Sequence, residues 1–425
     1  MIVDTIISSN VTNPFYGQLM KKSNNQILLP RVIFGNRGDI LSRWGLINGL
    51  LSIGQNNIEV FAHKASDLPI EIRDKFIPYT KYHNILLSKE GRAALKKSDL
   101  ILWGGGLDMT DESSKAKLLY LVFTFFLYNL LGKKIYCVFQ GAGPIKTKTG
   151  GVFAKEVTKK VHCFILRDEH SYKLIHTLNP SIPALLAGDA IFMPGFEEQI
   201  AQYSHPAIVE RYIPNDERPV IAVNIRRWFH FSSDLIPFQL ARKRYENRGL
   251  EQMQYLVDTY ETLVNRLREN YDAHVLLISA YNPRVFSWED DSPWLERIKI
   301  LFQDDPAVQL VSEDLDMVDY LALMSKVDMA VSMRLHSSLT VMRFGNPAVN
   351  ISYAPKGIDS FRTLGLDDHA IELSRIMQDG TVLWQRVEQV LNDLDAERRK
   401  VRNGVEKVIT NNIKILQTIF SDDHE

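Results

Sequence analysis

Short apolar runs rich in branched residues alternate along the chain with longer stretches that carry apolar residues every three or four positions. That alternation predicts parallel sheets joined by crossover helices. In the first half the runs predict strands at 26–34, 58–61, 100–103, 134–139 and 162–166, with helices at 40–53, 91–97, 114–132 and 169–178. From about 194 to 218 the rhythm breaks. Residues 212–219 are polar, carry Pro214 and Pro219, and read as a linker. After it the pattern restarts, with strands at 220–225, 273–279, 308–310, 329–332 and 348–351. Helices follow at 250–270, 316–324, 336–344 and, with breaks, 382–420. The expected class is α/β, with two Rossmann-like domains facing across a cleft in the GT-B-like manner. Residues 1–205 form the first domain, 218–375 the second, and 376–425 a helical C-terminal part.

At 425 residues the chain exceeds one ordinary core and suits two domains. A net charge of −1 leaves no excess of cations for a nucleic-acid footprint, although a small anion needs only two or three of them. The two cysteines, Cys137 and Cys163, sit in apolar runs, so they read as buried strand residues in a reducing cytosol rather than a disulfide or metal site. No basic region followed by an apolar one opens the chain, so no signal peptide is expected. The most apolar stretch, 118–131, has 14 residues where a span needs about 20, and it predicts a buried or interfacial helix. The expected location is cytoplasmic, with a peripheral contact to a membrane-linked substrate left open.

Polar and glycine-rich segments fall where strands end, which is where ligands bind in such sheets. Gly35-Asn36-Arg37-Gly38-Asp39 opens the first helix, with Asp39 placed either to cap it or to meet a substrate hydroxyl. Gly104, Gly105 and Gly106 close a strand and permit close approach by a ligand, but with neither dinucleotide nor Walker spacing. Gly141 and Gly143 stand before Pro144 at another strand end, aiming N–H groups into the cleft or simply turning the chain. Arg167 and Asp168 suggest a structural Arg–carboxylate pair and a helix cap, followed by Gly188-Asp189-Ala190-Ile191-Phe192.

The sharpest segment is Ser332-Met333-Arg334-Leu335-His336-Ser337-Ser338. It puts a guanidinium suited to carboxylate or phosphate, and an imidazole able to exchange a proton near neutral pH, at one strand-to-helix turn. Arg226 and Arg227 at the first strand end of the second half, and Lys356 beyond another, supply further cations.

Taken in order from Asn36 to about Leu366, these segments resemble the polysaccharide pyruvyl transferase family: Asn-x-Gly-Asp, Gly-Gly-Gly, Gly-x-Gly-Pro, Arg167-Asp168 with Ser171, Asp189-Ala190-Ile191-Phe192, Arg334-Leu335-His336, Gly345-Asn346-Pro347 and Tyr353 with Lys356. The resemblance implies a GT-B-like enzyme that takes phosphoenolpyruvate and builds a pyruvate ketal on a sugar of an exopolysaccharide or cell-surface polymer. Its partners would be that donor and a glycan or lipid-linked oligosaccharide, with no metal or organic cofactor. It carries the donor site to Arg334, Leu335 and His336, and to Arg226 or Arg227, between which adjacency does not choose. The first 25 residues lie outside the pattern.

The chemistry agrees with the residues. A carboxylate and a phosphate call for converging cations, and protonation of the enol C3 calls for an acid, for which His336 is the candidate. Asn36, Asp39, Gly105, Gly106, Gly141 and Gly143 mark the acceptor side, and Asp39, Asp108 and Asp189 are candidate bases. Two other readings use the same fold. One is a nucleotide-sugar glycosyltransferase with Glu313-Asp314 at a ribose, the other a non-catalytic glycan-binding protein.

Overall fold

A computed structural model describes residues 25–33, 35–78, 88–111, 114–228, 247–281 and 290–420; the first 24 residues, residue 34 and the Lys356 side chain fall outside it. Thirteen described strands form two sheets. The first contains β1 Ile27–Leu29, β2 Ile58–Ala62, β3 Phe76–Pro78, β4 Leu100–Met109, β5 Lys134–Ala142, β6 Cys163–Leu166 and β7 Ala184–Leu186. Their order is β3-β2-β1-β4-β5-β6-β7. The second contains β8 Val220–Asn224, β9 His274–Ile278, β10 Val308–Val311, β11 Met329–Ser332, β12 Ala348–Ser352 and β13 Ala370–Glu372, in the order β10-β9-β8-β11-β12-β13. Every described pairing is parallel. The fold is therefore two parallel α/β sheets with helices, as the alternating pattern predicts. β8 and β9 are buried along their whole length, which is why they read as unbroken apolar runs. In each sheet the order reverses once, between β1 and β4 and between β8 and β11. Clefts for ligands open at such reversals, outside the carboxyl ends of the strands.

Several boundaries differ from the sequence reading. β1 covers three residues rather than nine. β4 runs through the glycine triplet to Met109, because Gly106 pairs with Gln140 and Leu107 with Gly141, so the ladder survives without side chains. The break in rhythm at 194–218 holds two helices, Phe196–Tyr203 and Pro206–Tyr212, and residues 213–219, within the expected linker at 212–219, are free of helix and strand. Pro206 lies in the first turn of its helix, where its missing N–H costs nothing. Three three-residue edge strands, β3, β7 and β13, were too short to show a period, and the helix Lys148–Thr158 was hidden by two glycines.

The two halves share one core. Ile40, Leu41 and Trp44 of the helix Arg37–Ser52 pack with Leu335, Leu339 and Met342 of the helix Leu335–Arg343. Val401, Val405 and Val408 of the C-terminal helix Leu394–Thr418 join them. That helix crosses back to the first half, where the Asn412 side chain accepts from Gly188 N at 2.8 Å and donates to Asp189 O at 3.0 Å. Closer to the cleft, Asn36 bridges to Tyr281 past the end of β9, and Arg37 N donates to Ala280 O at 3.1 Å. Gly35 permits this contact, since a Cβ there would lie 2.6 Å from the Tyr281 hydroxyl oxygen.

Candidate functional site

His336 enters the cleft from the second residue of its helix and is met there by the first half. Its Nε2 lies 3.0 Å from Ser42 Oγ, 3.2 Å from Asp189 Oδ2 and 3.4 Å from Arg167 Nη1. Asp189 is the hub. It accepts from Arg167 Nη1 at 2.7 Å, from Ser42 Oγ at 2.8 Å and from Ile191 N at 3.0 Å. Burial by itself would raise its carboxyl, but His336 and Arg167 outweigh that and hold it well below the usual carboxylate range. With Asp189 and Ser42 on Nε2, the other ring nitrogen, Nδ1, makes no hydrogen bond among the described residues. It lies against Gly38, where a Cβ would come within 2.5 Å of it. Gly38 and Ser42 are one helical turn apart on Arg37–Ser52, so one face of that helix both seats the ring and bonds to it.

Arg334 is fixed from the side. Its Nε donates to Asp291 Oδ2 at 3.0 Å and its Nη2 to Asp291 Oδ1 at 2.8 Å, a two-pronged grip on a fully buried carboxylate. Its backbone N donates to Asn224 Oδ1 at 3.3 Å. Ser332 and Asn224 are partners in the β11–β8 ladder. Arg334 and Arg226 each lie two residues beyond that pair, so the register brings both to the reversal point of the second sheet. The Arg226 N–H donates to Met333 Sδ at 3.4 Å, and its guanidinium bonds to the Tyr353 hydroxyl and lies over the rings of Trp228 and Tyr353. Arg227 is partly exposed beside it. Leu335 is different: its side chain packs in the core between the halves.

The glycine-rich turns have local explanations. A Cβ on Gly104 would meet Leu46 at 2.4 Å and one on Gly105 would meet Arg43 N at 3.1 Å, so these two let the helix Arg37–Ser52 lie on β4. Gly106 makes room for Arg31, whose guanidinium pairs with Asp108 and bonds to Gly105 O. The close approach read from these glycines is thus made by the protein's own groups. Asp108 also meets Lys117 at 2.9 Å and Trp103 Nε1 at 3.0 Å. Burial would raise it, yet Arg31 and Lys117 hold it well below the usual range. Gly141 leaves space for Arg167, and Gly143 for Leu174 and His170. Asp168 caps its helix by accepting from Ser171 N at 2.7 Å and lies 3.9 Å from Arg167 Nε, while the hydrogen-bonded partner of Arg167 is Asp189.

The first helix is capped by Asn36, which accepts from Gly38 N at 3.0 Å, rather than by Asp39, which accepts from Asn36 Nδ2 at 3.2 Å. Four contributors escaped the sequence reading. Ser42 could have been found from its turn spacing to Gly38. Asp291, Asn224 and Arg37 carried no periodic signal. Arg37 is 5% exposed, lies over the Tyr320 ring at 4.9 Å and approaches Asp314 at 3.7 Å. Its Nε and Nη1 are buried with no hydrogen-bond partner among the described residues. Burial lowers it from the usual guanidinium value, more than Tyr320 and Asp314 restore. Glu313 is taken by Arg211 and by Tyr212 at 3.3 Å.

A family model described as polysaccharide pyruvyl transferase matches residues 36–355. A relative is the amylovoran biosynthesis protein AmsJ of Erwinia amylovora, 23% identical over 315 residues, which span 74% of this chain and 70% of that protein. Among solved structures, the UDP-GlcNAc 2-epimerase of Neisseria meningitidis matches with a TM-score of 0.59 at 11% identity, over 93% of this chain and 99% of that one. The UDP-GlcNAc 2-epimerase of Methanocaldococcus jannaschii gives 0.57 at 11% identity, over 93% and 98%. At such identities the structural likeness speaks for the fold alone.

Proposed function

The chain belongs to the polysaccharide pyruvyl transferase family, and from that premise we propose that it moves the pyruvyl group of phosphoenolpyruvate onto two hydroxyls of a sugar. The product is a pyruvate ketal on an exopolysaccharide or its lipid-linked precursor. The observation that carries this reading is the meeting of the two halves at His336, whose imidazole is oriented by Asp189 and Ser42, with Arg226 and Arg334 each two residues beyond the paired ends of β8 and β11.

Each group then has a task. Arg334, aimed by Asp291, and Arg226, backed by Tyr353, grip the donor's carboxylate and phosphate; Arg37 adds a third cation from the first half. His336, held through Nε2, offers a proton on Nδ1 to C3 of the enol. The C2 centre becomes electrophilic and one sugar hydroxyl adds to it. The bond from C2 to the phosphate oxygen then breaks, and the second hydroxyl closes the ketal. Of the two hydroxyl protons, one replaces that delivered to C3 and one leaves through the base with phosphate. The balance calls for no oxidant. Ion pairing makes Asp108 and Asp189 poor proton acceptors, so Asp39, partly exposed in the first helical turn, is the base in this scheme.

A nucleotide-sugar donor is less well served, because Glu313 is already bonded to Arg211 and Tyr212. The test is phosphate release from phosphoenolpyruvate with a panel of glycan and lipid-linked acceptors, for wild type, Arg334→Ala, Arg226→Ala and Arg227→Ala. The first two variants should lose turnover and the third should retain most of it. Full activity in Arg334→Ala, or thermal stabilisation by UDP or GDP but not by phosphoenolpyruvate, would overturn the reading.

A further inference from the structure

The helix Lys115–Leu130 is apolar on two faces and buries one. Leu118, Leu121, Phe125 and Tyr128 recur at helical spacing and pack into the first-half core. Leu119, Tyr120, Phe123, Phe126 and Leu130 recur on the other side, with exposures of 43% to 71%. A helix apolar all round is expected to be covered on all sides, and contiguous exposed apolar surface of this kind marks an interaction site. Among the described residues no helix is long and apolar enough to cross a membrane.

The charge around this face says what covers it. Residues 114–160 contain nine lysines and a single carboxylate, Glu156, which is itself paired with Lys159 at 2.6 Å. The neighbouring helix Lys148–Thr158 presents Lys148, Val152 and Lys155 to solvent, and Lys160 Nζ lies 5.6 Å from the Phe126 ring centre. This local basic excess stands out in a chain whose net charge is −1. Aromatic and leucine side chains within a lysine rim are the makeup of a helix that lies in an anionic lipid interface. A second copy of the same face would set the lysine rims against each other.

We propose that the outer face of the helix Lys115–Leu130 docks the protein on an anionic membrane surface. The helix starts beside the carboxyl end of β4, where Lys117 Nζ reaches Leu107 O at 3.1 Å, so its N-terminal end adjoins the strand-end side on which the cleft opens. A sugar carried on a lipid would then meet the cleft without leaving its membrane. The docking stands on the surface itself, and it is measured without phosphoenolpyruvate, so it succeeds or fails apart from the pyruvyl reading.

The experiment is co-sedimentation of the full chain with phosphatidylcholine vesicles, with and without about one-third phosphatidylglycerol. Wild type should bind the anionic vesicles, and binding should fall by roughly ten-fold when salt is raised to about 0.5 M. Phe123→Ser/Phe126→Ser should reduce binding by roughly ten-fold or more, as should Lys134→Gln/Lys155→Gln/Lys160→Gln, with melting temperatures unchanged because these side chains are on the surface. Failure of wild type to bind, or equal binding by the serine variant, would overturn the proposal. So would a dimer, seen by light scattering, that the serine substitutions dissolve while vesicle binding is absent.

Discussion

His336 Nε2 lies 3.2 Å from Asp189 Oδ2, so an imidazole carried by the second sheet is held by a carboxylate carried by the first. The pair forms only when the halves are docked. Asn412, from the C-terminal helix, bonds the backbone on both sides of that carboxylate, at Gly188 N and Asp189 O. The proton transfer proposed for His336 and the packing of the two halves would thus rest on the same few atoms.

Asp189→Asn should therefore damage both. It takes the 2.7 Å counter-charge from buried Arg167 and leaves only Asp168, at 3.9 Å; breaking such a pair typically costs about 3 kcal/mol, and turnover should fall by about 100-fold or more. The Asp189 carboxyl is held below its ordinary value, so its contribution to stability is fully present above the unfolded-state value of about 4. Below that pH the unfolded chain takes up the proton while the folded carboxyl stays ionised, so the contribution declines, and it is gone once the folded carboxyl is protonated as well. Urea midpoints of wild type and variant should accordingly converge as pH falls below about 4.

Much of this arrangement was legible in the chain. Strand runs and helical periods gave two sheets in sequence, and the strand-to-helix turn at Ser332–His336 stood out because few segments carry a cation and an imidazole together. Other parts could not be read, for identifiable reasons. Gly105 and Gly106 suggested room for a ligand, yet the space is filled by Arg43 and Arg31 from elsewhere in the fold. Asp189 looked like a candidate base, and only the distances show that Arg167 and His336 already hold it. Asp291 precedes a helix with no period leading to it, so nothing local tied it to Arg334, 43 residues away.

Both cysteines should resist modification in the native protein. Burial pushes the Cys163 thiol up to about 11 and the Cys137 thiol well above its ordinary value, so little thiolate exists at pH 8. Ellman's reagent at that pH should titrate neither thiol until denaturant is added; fast reaction of either thiol in the native state would contradict the burial.

Arg334→Lys should separate charge from geometry. Lysine keeps the positive charge but cannot match the two-pronged grip on Asp291. We expect turnover to fall by about 100-fold with the fold intact by circular dichroism. Asp291→Asn, which leaves the arginine but loosens its aim, should chiefly raise the KM for phosphoenolpyruvate. If instead Arg334→Lys were near wild type, charge alone would suffice.

Arg37 carries a cost that the proposed donor site would account for. Its Nε and Nη1 are buried without partners, a loss of about 1–3 kcal/mol for such groups. Arg37→Met keeps the packing on Tyr320 and removes the unsatisfied charge. It should raise the melting temperature while lowering the affinity for phosphoenolpyruvate. A variant that is less stable would show that Arg37 is structural, held by Asp314.

Gly38 gives the most direct test of the site geometry. In an ordinary helix interior, glycine to alanine stabilises by about 1 kcal/mol. Here an added Cβ would lie 2.4 Å from His336 Cβ and 2.5 Å from its ring, too close for any real contact. Gly38→Ala should thus displace the imidazole, abolish most turnover and lower stability. Removing the whole side chain should reverse the sign: in a His336→Gly background the same Gly38→Ala change should stabilise, because both the Cβ and the ring that obstruct it are gone. Chemical denaturation of the four proteins of this double-mutant cycle measures the coupling. A coupling near zero would mean that the ring does not rest on Gly38.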